Sequence, residues 1–426
     1  MSKQINNKPF HNSVIPTDWE MKELNSLGKI SSGGTPDTTN ATFWNGNINW
    51  CTPTDISKLN GSKYIGETVV KISCQGLKNS SATLLPKGSV IVCTRATIGK
   101  AAISVEEIST NQGFKNIVPD KKKVDVEFLF YSIINSEHHL VRLGNGSTFL
   151  EVPKSDFEKY RIPLPPLPEQ KAIAYILSSI DTVIYKSDLL IVKKEVRKKW
   201  LIQNLLTGNK RLKGFSEKWI FVEIQKLFKP VDRYVEWNDN ELFNLISIRR
   251  RNGGVFFREP LYGYQIGVKK LKVVFKNDFV ISKRQVSHGA WAVIDQVYHA
   301  AKVSDEYDSL EILDQNHLFV DFWKWHCQLP VLTHYANVDS DGVHIEKSIF
   351  DYNSFKKRKV FIPSSIKEQT DIAQVLQIAE KEIQLLKAKS ENLKELKRGM
   401  MQQLLTGKKR LDLSKFEDIE NGHPEL

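Results

Sequence analysis

Pro168-Glu169-Gln170 opens a stretch that closes on Leu205-Leu206-Thr207-Gly208-Asn209-Lys210-Arg211-Leu212. Lys367-Glu368-Gln369 opens a second that closes on Leu404-Leu405-Thr406-Gly407-Lys408-Lys409-Arg410-Leu411. The two copies align without a gap, with Glu169/Glu368, Gln170/Gln369, Ile173/Ile372, Ala174/Ala373, Leu177/Leu376, Ile184/Ile383, Lys198/Lys397 and Gln203/Gln402 identical. An internal repeat is read first because it constrains the whole architecture. In the second copy Ile372, Leu376, Ala379, Ile383, Leu386, Leu393, Met400 and Leu404 recur at spacings of four and three, a heptad seam broken at Ser390 and Lys397. The first copy places Ile173, Leu177, Ile180, Ile184, Ile191, Leu201 and Leu205 on the same seam and breaks it at Ser187, Lys194 and Lys198. Ser365-Ile366-Lys367-Glu368 reads as a capping box, Pro168-Glu169 as a proline and an acid in a first turn, and Gly208 and Gly407 as C-terminal glycines. The spacing predicts two helices of about 40 residues, each about 60 Å long.

Neither helix buries its seam alone. An antiparallel pair is expected, with a globular domain at each opposite end and approximate two-fold symmetry inside one chain; the competing reading is two separate dimerisation stalks. Outward from the helices, both globular regions start alike: Trp19, Glu23 and Leu27 match Trp219, Glu223 and Leu227. Turn signals at Gly33-Gly34-Thr35-Pro36, Asn45-Gly46 and Pro86-Lys87-Gly88 alternate with β-rich runs such as Ser89-Val90-Ile91-Val92-Cys93, and a helix is predicted over Val126 to Leu143. The expected fold class is α+β, with two similar mixed α/β domains separated by two long helices in an antiparallel coiled coil. The expected boundaries are a disordered leader (1–14), domain one (15–160), helix one (161–213), domain two (214–360), helix two (361–412) and a tail (413–426).

Composition bounds the function. The 426 residues are 41% hydrophobic and 26% charged, as in soluble globular proteins. No run reaches the ~18–20 apolar residues that span a bilayer, and Met1 to Lys8 has no apolar signal core. Cys51, Cys74, Cys93 and Cys327 are scattered, which fits a reducing cytoplasm. Sixty-one Lys and Arg against 49 Asp and Glu give a net charge of +12, suited either to a polyanion such as nucleic acid or to a solvated basic surface. Catalytic motifs are missing: Asn7-Lys8-Pro9-Phe10 is not a methyltransferase loop, Gly144-Asn145-Gly146 is a lone turn, and neither helix end is a P-loop. His138-His139 and His326-Cys327 have no further ligands at metal spacing, so no metal site is assigned.

Several short strings then converge. They are Gly33-Gly34-Thr35-Pro36, Trp50-x-Thr52-x-x-Asp55-Ile56, Thr94-Arg95-Ala96-Thr97-Ile98-Gly99-Lys100, Thr110-Asn111-Gln112-Gly113-Phe114, Gly146-Ser147-Thr148-Phe149 and Ile162-Pro163-Leu164-Pro165-Pro166-Leu167-Pro168-Glu169-Gln170. With the two Leu-Leu-Thr-Gly helix ends they make the chain, over roughly residues 15 to 412, resemble the specificity subunit of type I restriction-modification enzymes. Domain two departs from the pattern. It carries Ile248-Arg249-Arg250-Arg251-Asn252-Gly253-Gly254 and Ser282-Lys283-Arg284-Gln285-Val286-Ser287-His288-Gly289-Ala290 in place of the domain-one strings.

The resemblance implies two target recognition domains, double-stranded DNA as ligand, and a bipartite site made asymmetric by their differences. It implies two modification (methyltransferase) subunits and restriction subunits as partners, cytoplasmic placement at the nucleoid, and no membrane. It further implies no catalytic centre and no cofactor in this chain; S-adenosylmethionine, ATP and Mg belong to the partners. The rival functions are a self-sufficient DNA methyltransferase or nuclease with degenerate motifs, and a stand-alone two-headed repressor or scaffold.

DNA recognition needs cations for phosphates and forked donors or amides for base edges. The candidates in domain one are Arg95, Lys100, Asn111, Gln112, Lys115, Ser147 and Thr148; in domain two they are Arg249, Arg250, Arg251, Lys283, Arg284, Gln285, Ser287 and His288. Each competes with a role in stabilising its own turn. If the three arginines lie on a strand, alternation leaves at most two on one face. From the resemblance, Glu169, Gln170, Leu205, Leu206, Glu368, Gln369, Leu404 and Leu405 are expected to dock the partner subunits.

Overall fold

The structure, a computed structural model, describes residues 8–10, 13–59, 61–145, 150–341 and 349–414. Two mixed α/β domains are linked by long helices, and the chain divides into two compact units, residues 1–190 with 387–426, and residues 191–386.

In the first unit a five-stranded sheet runs in the order Gly28–Ser32, Phe114–Pro119, Val90–Cys93, Ala101–Ser104 and Tyr64–Ile65, antiparallel except for the last pair. The run Val90-Ile91-Val92-Cys93 is apolar throughout because both its faces are covered. Val90 and Val92 enter one core with Phe128, Phe157 and Leu177, and Ile91 and Cys93 enter another with Cys51, Ile65 and Phe114. The helix expected over 126–143 is two, Val126–Asn135 and Glu137–Leu143. Ser136 breaks it at φ −92° and ψ 1°, with its hydroxyl donating to the Ser132 carbonyl at 2.7 Å. Part of the expected disordered leader carries structure, since Lys8–Phe10 pairs antiparallel with Ser13–Ile15, and Ile15 anchors this hairpin in the core.

The second unit has a four-stranded antiparallel sheet in the order Phe228–Val231, Tyr307–Ile312, Phe279–Ser282 and Trp291–Val293. The aromatic cluster at 319–325 falls on the helix Val320–His326 and packs inward, with Phe322 and Trp323 fully buried. His326 stacks on Trp323, and its Nε2 lies 3.3 Å from the Phe361 carbonyl.

Two 39-residue helices, Leu167–Leu205 and Ile366–Leu404, carry the repeat. Within the first unit their partners run antiparallel: Asp181 pairs with Lys397 at 2.6 Å, and Asp188 accepts from Ser390 at 2.6 Å. Within the second unit Lys194 meets Glu382 and Lys198 meets Glu380, each at 2.5 Å. Ser390, Lys397, Lys194 and Lys198 break the apolar seam because each has a partner on the other helix, and such pairs fix register. Ser187 is different: its hydroxyl donates to Val183 O in its own helix.

The helix ends correct an expectation. Glu169, Gln170, Leu205, Leu206, Glu368, Gln369, Leu404 and Leu405 are all at most 4% exposed, so they offer no surface to another subunit. In the first unit Glu169 receives Arg410 Nε at 2.7 Å and Trp19 Nε1 at 3.1 Å, while Gln170 accepts from the Asp125 amide and donates to the Lys123 and Pro165 carbonyls. In the second unit Glu368 receives Arg211 at 2.9 and 2.6 Å, and Gln369 accepts from the Phe319 amide and donates to the His317 and Pro363 carbonyls. The glutamine thus holds the amide that precedes a helix in each domain, Val126–Asn135 or Val320–His326. Gly407 and Gly208, at φ 70° and 73°, turn the chain so that each arginine reaches its glutamate. A Cβ on Gly407 would lie 2.4 Å from Pro16, and one on Gly208 would lie 3.4 Å from Trp219. Each unit is therefore closed by the start of one long helix and the end of the other.

Candidate nucleic-acid interface

In domain one, four strings far apart in sequence are tied together by backbone. Gly34 N donates to Thr110 O, Asn111 N to Cys51 O and Thr94 N to Gly113 O, and Trp50 Nε1 donates to Gly34 O at 2.9 Å. Beyond the buried strand Val90–Cys93 the chain turns at Ala96 (φ 62°) and Gly99 (φ 87°), projecting Arg95 at the turn's start. The loop end at Glu151 folds back beside it, with Val152 N donating to Thr94 O. Arg95 Nε donates to Glu151 at 3.0 Å, and Lys115 Nζ lies 3.1 Å from the other carboxylate oxygen. Burial works against ionising Glu151, but its hydrogen bonds from Arg95 and Lys115 outweigh that and hold its carboxyl below the usual range.

The domain-one candidates therefore divide. Arg95 and Gln112 gather around Gly113, with Arg95 41% exposed and Gln112 accepting from the Thr35 hydroxyl. Asn111 sits beside them but satisfies its own turn, its Oδ1 accepting from Gly113 N at 2.9 Å. Lys115 is corrected: its side chain is 6% exposed and pairs with Glu151, so it is an internal ion-pair partner and not a cation free for a phosphate. Lys100 is exposed just before the next strand. Ser147 and Thr148 lie outside the described residues. Sequence reading missed Glu151; its signal was its place two residues after the Gly146-Ser147-Thr148-Phe149 string.

In domain two the strand Ile246–Ile248 stops before the arginines, and Arg251 (φ 58°), Asn252 (φ 53°) and Gly254 (φ 78°) form a tight turn into Val255–Phe257. Strand alternation therefore does not apply, and Arg249, Arg250 and Arg251 are all exposed. Arg249 lies over the Phe256 ring at 4.2 Å, a cation–π contact. The second basic loop docks against this turn, with Arg251 N donating to His288 O at 2.7 Å and Asn252 N to Gly289 O at 3.0 Å. Arg284 is 74% exposed and pairs with Glu306, Lys283 lies 3.6 Å from Asp308, and the Ser287 hydroxyl donates weakly to Ser340 at 3.4 Å. Asn252 Oδ1, Gln285 Oε1 and His288 Nε2 are buried in this loop pair with no hydrogen-bond partner among the described residues. Asn252 was not among the sequence candidates. The three exposed guanidinium groups suit phosphate contacts, whereas the unsatisfied atoms of Asn252, Gln285 and His288 are buried beneath them. Among the described residues no helix is long and apolar enough to cross a membrane.

Residues 16–190 match the family model described as the type I restriction modification DNA specificity domain. A type I restriction enzyme specificity subunit (MjaIX) of Methanocaldococcus jannaschii is 35% identical over 195 residues, 44% of this chain and 45% of that protein. The HindI specificity subunit of Haemophilus influenzae is 29% identical over 178 residues, 41% of this chain and 37% of that protein. The chain thus spans less than half the length of these curated relatives. Among solved structures, the S subunit of a type I restriction-modification system from M. genitalium aligns with a TM-score of 0.53 at 15% identity, covering 95% of this chain and 98% of its own. The HsdS subunit from Thermoanaerobacter tengcongensis aligns at 0.54 and 17%, covering 92% and 98%. These two likenesses establish a shared fold along the chain. The family likeness is therefore carried by residues 16–190, which match the type I restriction modification DNA specificity domain, and the solved structures extend the likeness of fold along the chain.

Proposed function

We propose that this protein is the DNA sequence reader of a type I restriction-modification complex. Each globular domain reads one half of a bipartite, asymmetric site in double-stranded DNA. The observation that carries this is a contrast inside one chain. The closure around Glu169 and Gln170 recurs at Glu368 and Gln369, whereas the candidate loops differ in residues and in pairing. A repeated closure with different loops suits two different half-sites. The long helices serve as the ruler between them; at about 60 Å of helix and about 34 Å per DNA turn, the half-sites fall within one to two turns of each other.

The chain itself is non-catalytic and binds no cofactor. Two modification subunits supply S-adenosylmethionine-dependent methylation, and restriction subunits supply ATP- and Mg-dependent translocation and cleavage, in the cytoplasm at the nucleoid. Their docking surface belongs to outward-facing helix residues, because the helix ends first expected to serve are buried. In the second unit Val192, Val196 and Trp200, spaced by four on the first long helix, are 57%, 63% and 50% exposed. Methylome sequencing of cells with and without this gene tests the reading. One bipartite, asymmetric methylated motif should vanish with the gene; an unchanged methylome, or turnover of S-adenosylmethionine by the purified chain, would refute it.

A further inference from the structure

A partly buried polar chain, centred on the buried Lys63 and Tyr131, crosses from domain one to both long helices within the first unit. Lys63 lies just before the strand Tyr64–Ile65, and its side chain is 7% exposed. Its ammonium meets Glu127 Oε2 at 2.8 Å, donates to the Ser178 hydroxyl at 2.6 Å, and lies 3.4 Å from the Tyr131 hydroxyl. Glu127 and Tyr131 belong to the helix Val126–Asn135, whereas Ser178 is on the first long helix. Tyr131 donates to Asp181 Oδ2 at 2.6 Å, and Asp181 Oδ1 meets Lys397 of the second long helix at 2.6 Å. Lys397 also lies over the Tyr131 ring at 5.2 Å. Burial, reinforced by the Asp181 charge, raises the Tyr131 pKa and keeps its hydroxyl a donor.

The second unit repeats only the coil part. Lys198 and Glu380 occupy the positions aligned with Lys397 and Asp181 and pair at 2.5 Å. Counting from the helix start whose preceding amide the glutamine holds, Trp325 stands where Tyr131 stands in domain one. Trp325 packs against the core, and among the described residues Glu380 bonds only to Lys198 and Gln384, both on the long helices.

We propose that Tyr131, held between Lys63 and Asp181, is a positioning residue that keys domain one to the helix pair and so makes site selection strict about spacer length. A hydrogen bond to a charged group is directional, whereas apolar contact tolerates sliding and small rotation. The polar chain therefore fixes the angle of domain one on the ruler, and domain two, with an indole at that position, carries more of the slack. This rests on the reading of the chain as a two-half-site reader.

The test uses the full chain co-expressed with its modification subunits and a plasmid library whose spacer is one base pair short, native or one long. Tyr131→Phe and Asp181→Asn are each expected to reduce the preference for the native spacer roughly tenfold, the scale of one charge-assisted hydrogen bond, with half-site bases unchanged. Lys198→Gln breaks the aligned helix pair that touches no globular domain and is expected to leave spacer preference unchanged. The key is overturned if both domain-one variants keep the native preference, or if Lys198→Gln relaxes it equally, since coil stiffness would then be responsible. A wild-type chain that directs no bipartite methylation overturns the reader itself, a different result from a faithful wild type with an indifferent Tyr131→Phe.

Discussion

At Glu169 a buried carboxylate is met from two sides by Arg410 and Trp19. Arg410 also binds Asp18 at 2.8 Å, so the last turn of the repeat is stitched to the first residues of domain one. Removing the cation leaves Glu169 charged and unpaired. Arg410→Ala is expected to cost about 2 kcal/mol in chemical denaturation, less than a fully buried pair because Arg410 is 43% exposed and partly screened. His326 makes the complementary case. Burial lowers its pKa from 6.5 to about 4, and a weaker opposing effect comes from the hydrogen bond to Phe361. The folded value lies below the unfolded one, so the unfolded chain takes up the proton first. Its stabilisation is complete above pH 6.5 and is lost as pH falls toward 4, at about 1.4 kcal/mol per pH unit. His326→Gln should flatten the fall of unfolding free energy with pH across that window, read from denaturation midpoints at each pH.

At the scale of elements, the long helices were legible in the sequence because a heptad seam is a local pattern. The structure explains four of the five breaks in that seam, all but Ser187, as cross-helix pairs, and this sets how the helix pair must be lengthened. Four residues inserted near Ser187 alone would displace Asp188 from Ser390 and Lys194 from Glu382. A matched insertion near Ser390 restores every pair and adds about 6 Å at 1.5 Å per residue. The matched variant is expected to methylate sites with a longer spacer and the same half-site bases. The single insertion is expected to lower Tm and methylate poorly, as measured by calorimetry and methylome sequencing. The predicted helix over 126–143 failed at Ser136 because a hydroxyl that bonds the preceding turn leaves no trace in hydrophobic spacing.

At the scale of the whole molecule, the net charge of +12 is only a permission to bind DNA, and the folded loops decide which cations are available. Arg250 is exposed, and among the described residues it makes no ion pair; Lys115 is buried against Glu151. Arg250→Ala should reduce the slope of log affinity against log salt by about 0.9, the loss of one phosphate contact. Lys115→Ala should leave that slope unchanged and lower Tm, because it strips a cation from Glu151. Anisotropy titrations of the assembled complex at several salt concentrations separate the two outcomes.

The sequence by itself determined the two long helices, their equal length, the acid in each first turn, the glycine after each last turn, and the strings from which the candidate loops are built. Each is written in neighbouring residues, through periodicity, turn chemistry or propensity. Tertiary structure alone decided which side chains those strings leave free. Glu169 and Arg410 are 241 residues apart, and nothing local to either announces the other. The same holds for Lys115 with Glu151 and for Lys63 with Asp181 through Tyr131. Burial and pairing are set by what the folded chain brings within about 3 Å. The shared Glu-Gln and Leu-Leu-Thr-Gly ends, which looked like a docking signal in one dimension, therefore close their own domains in three.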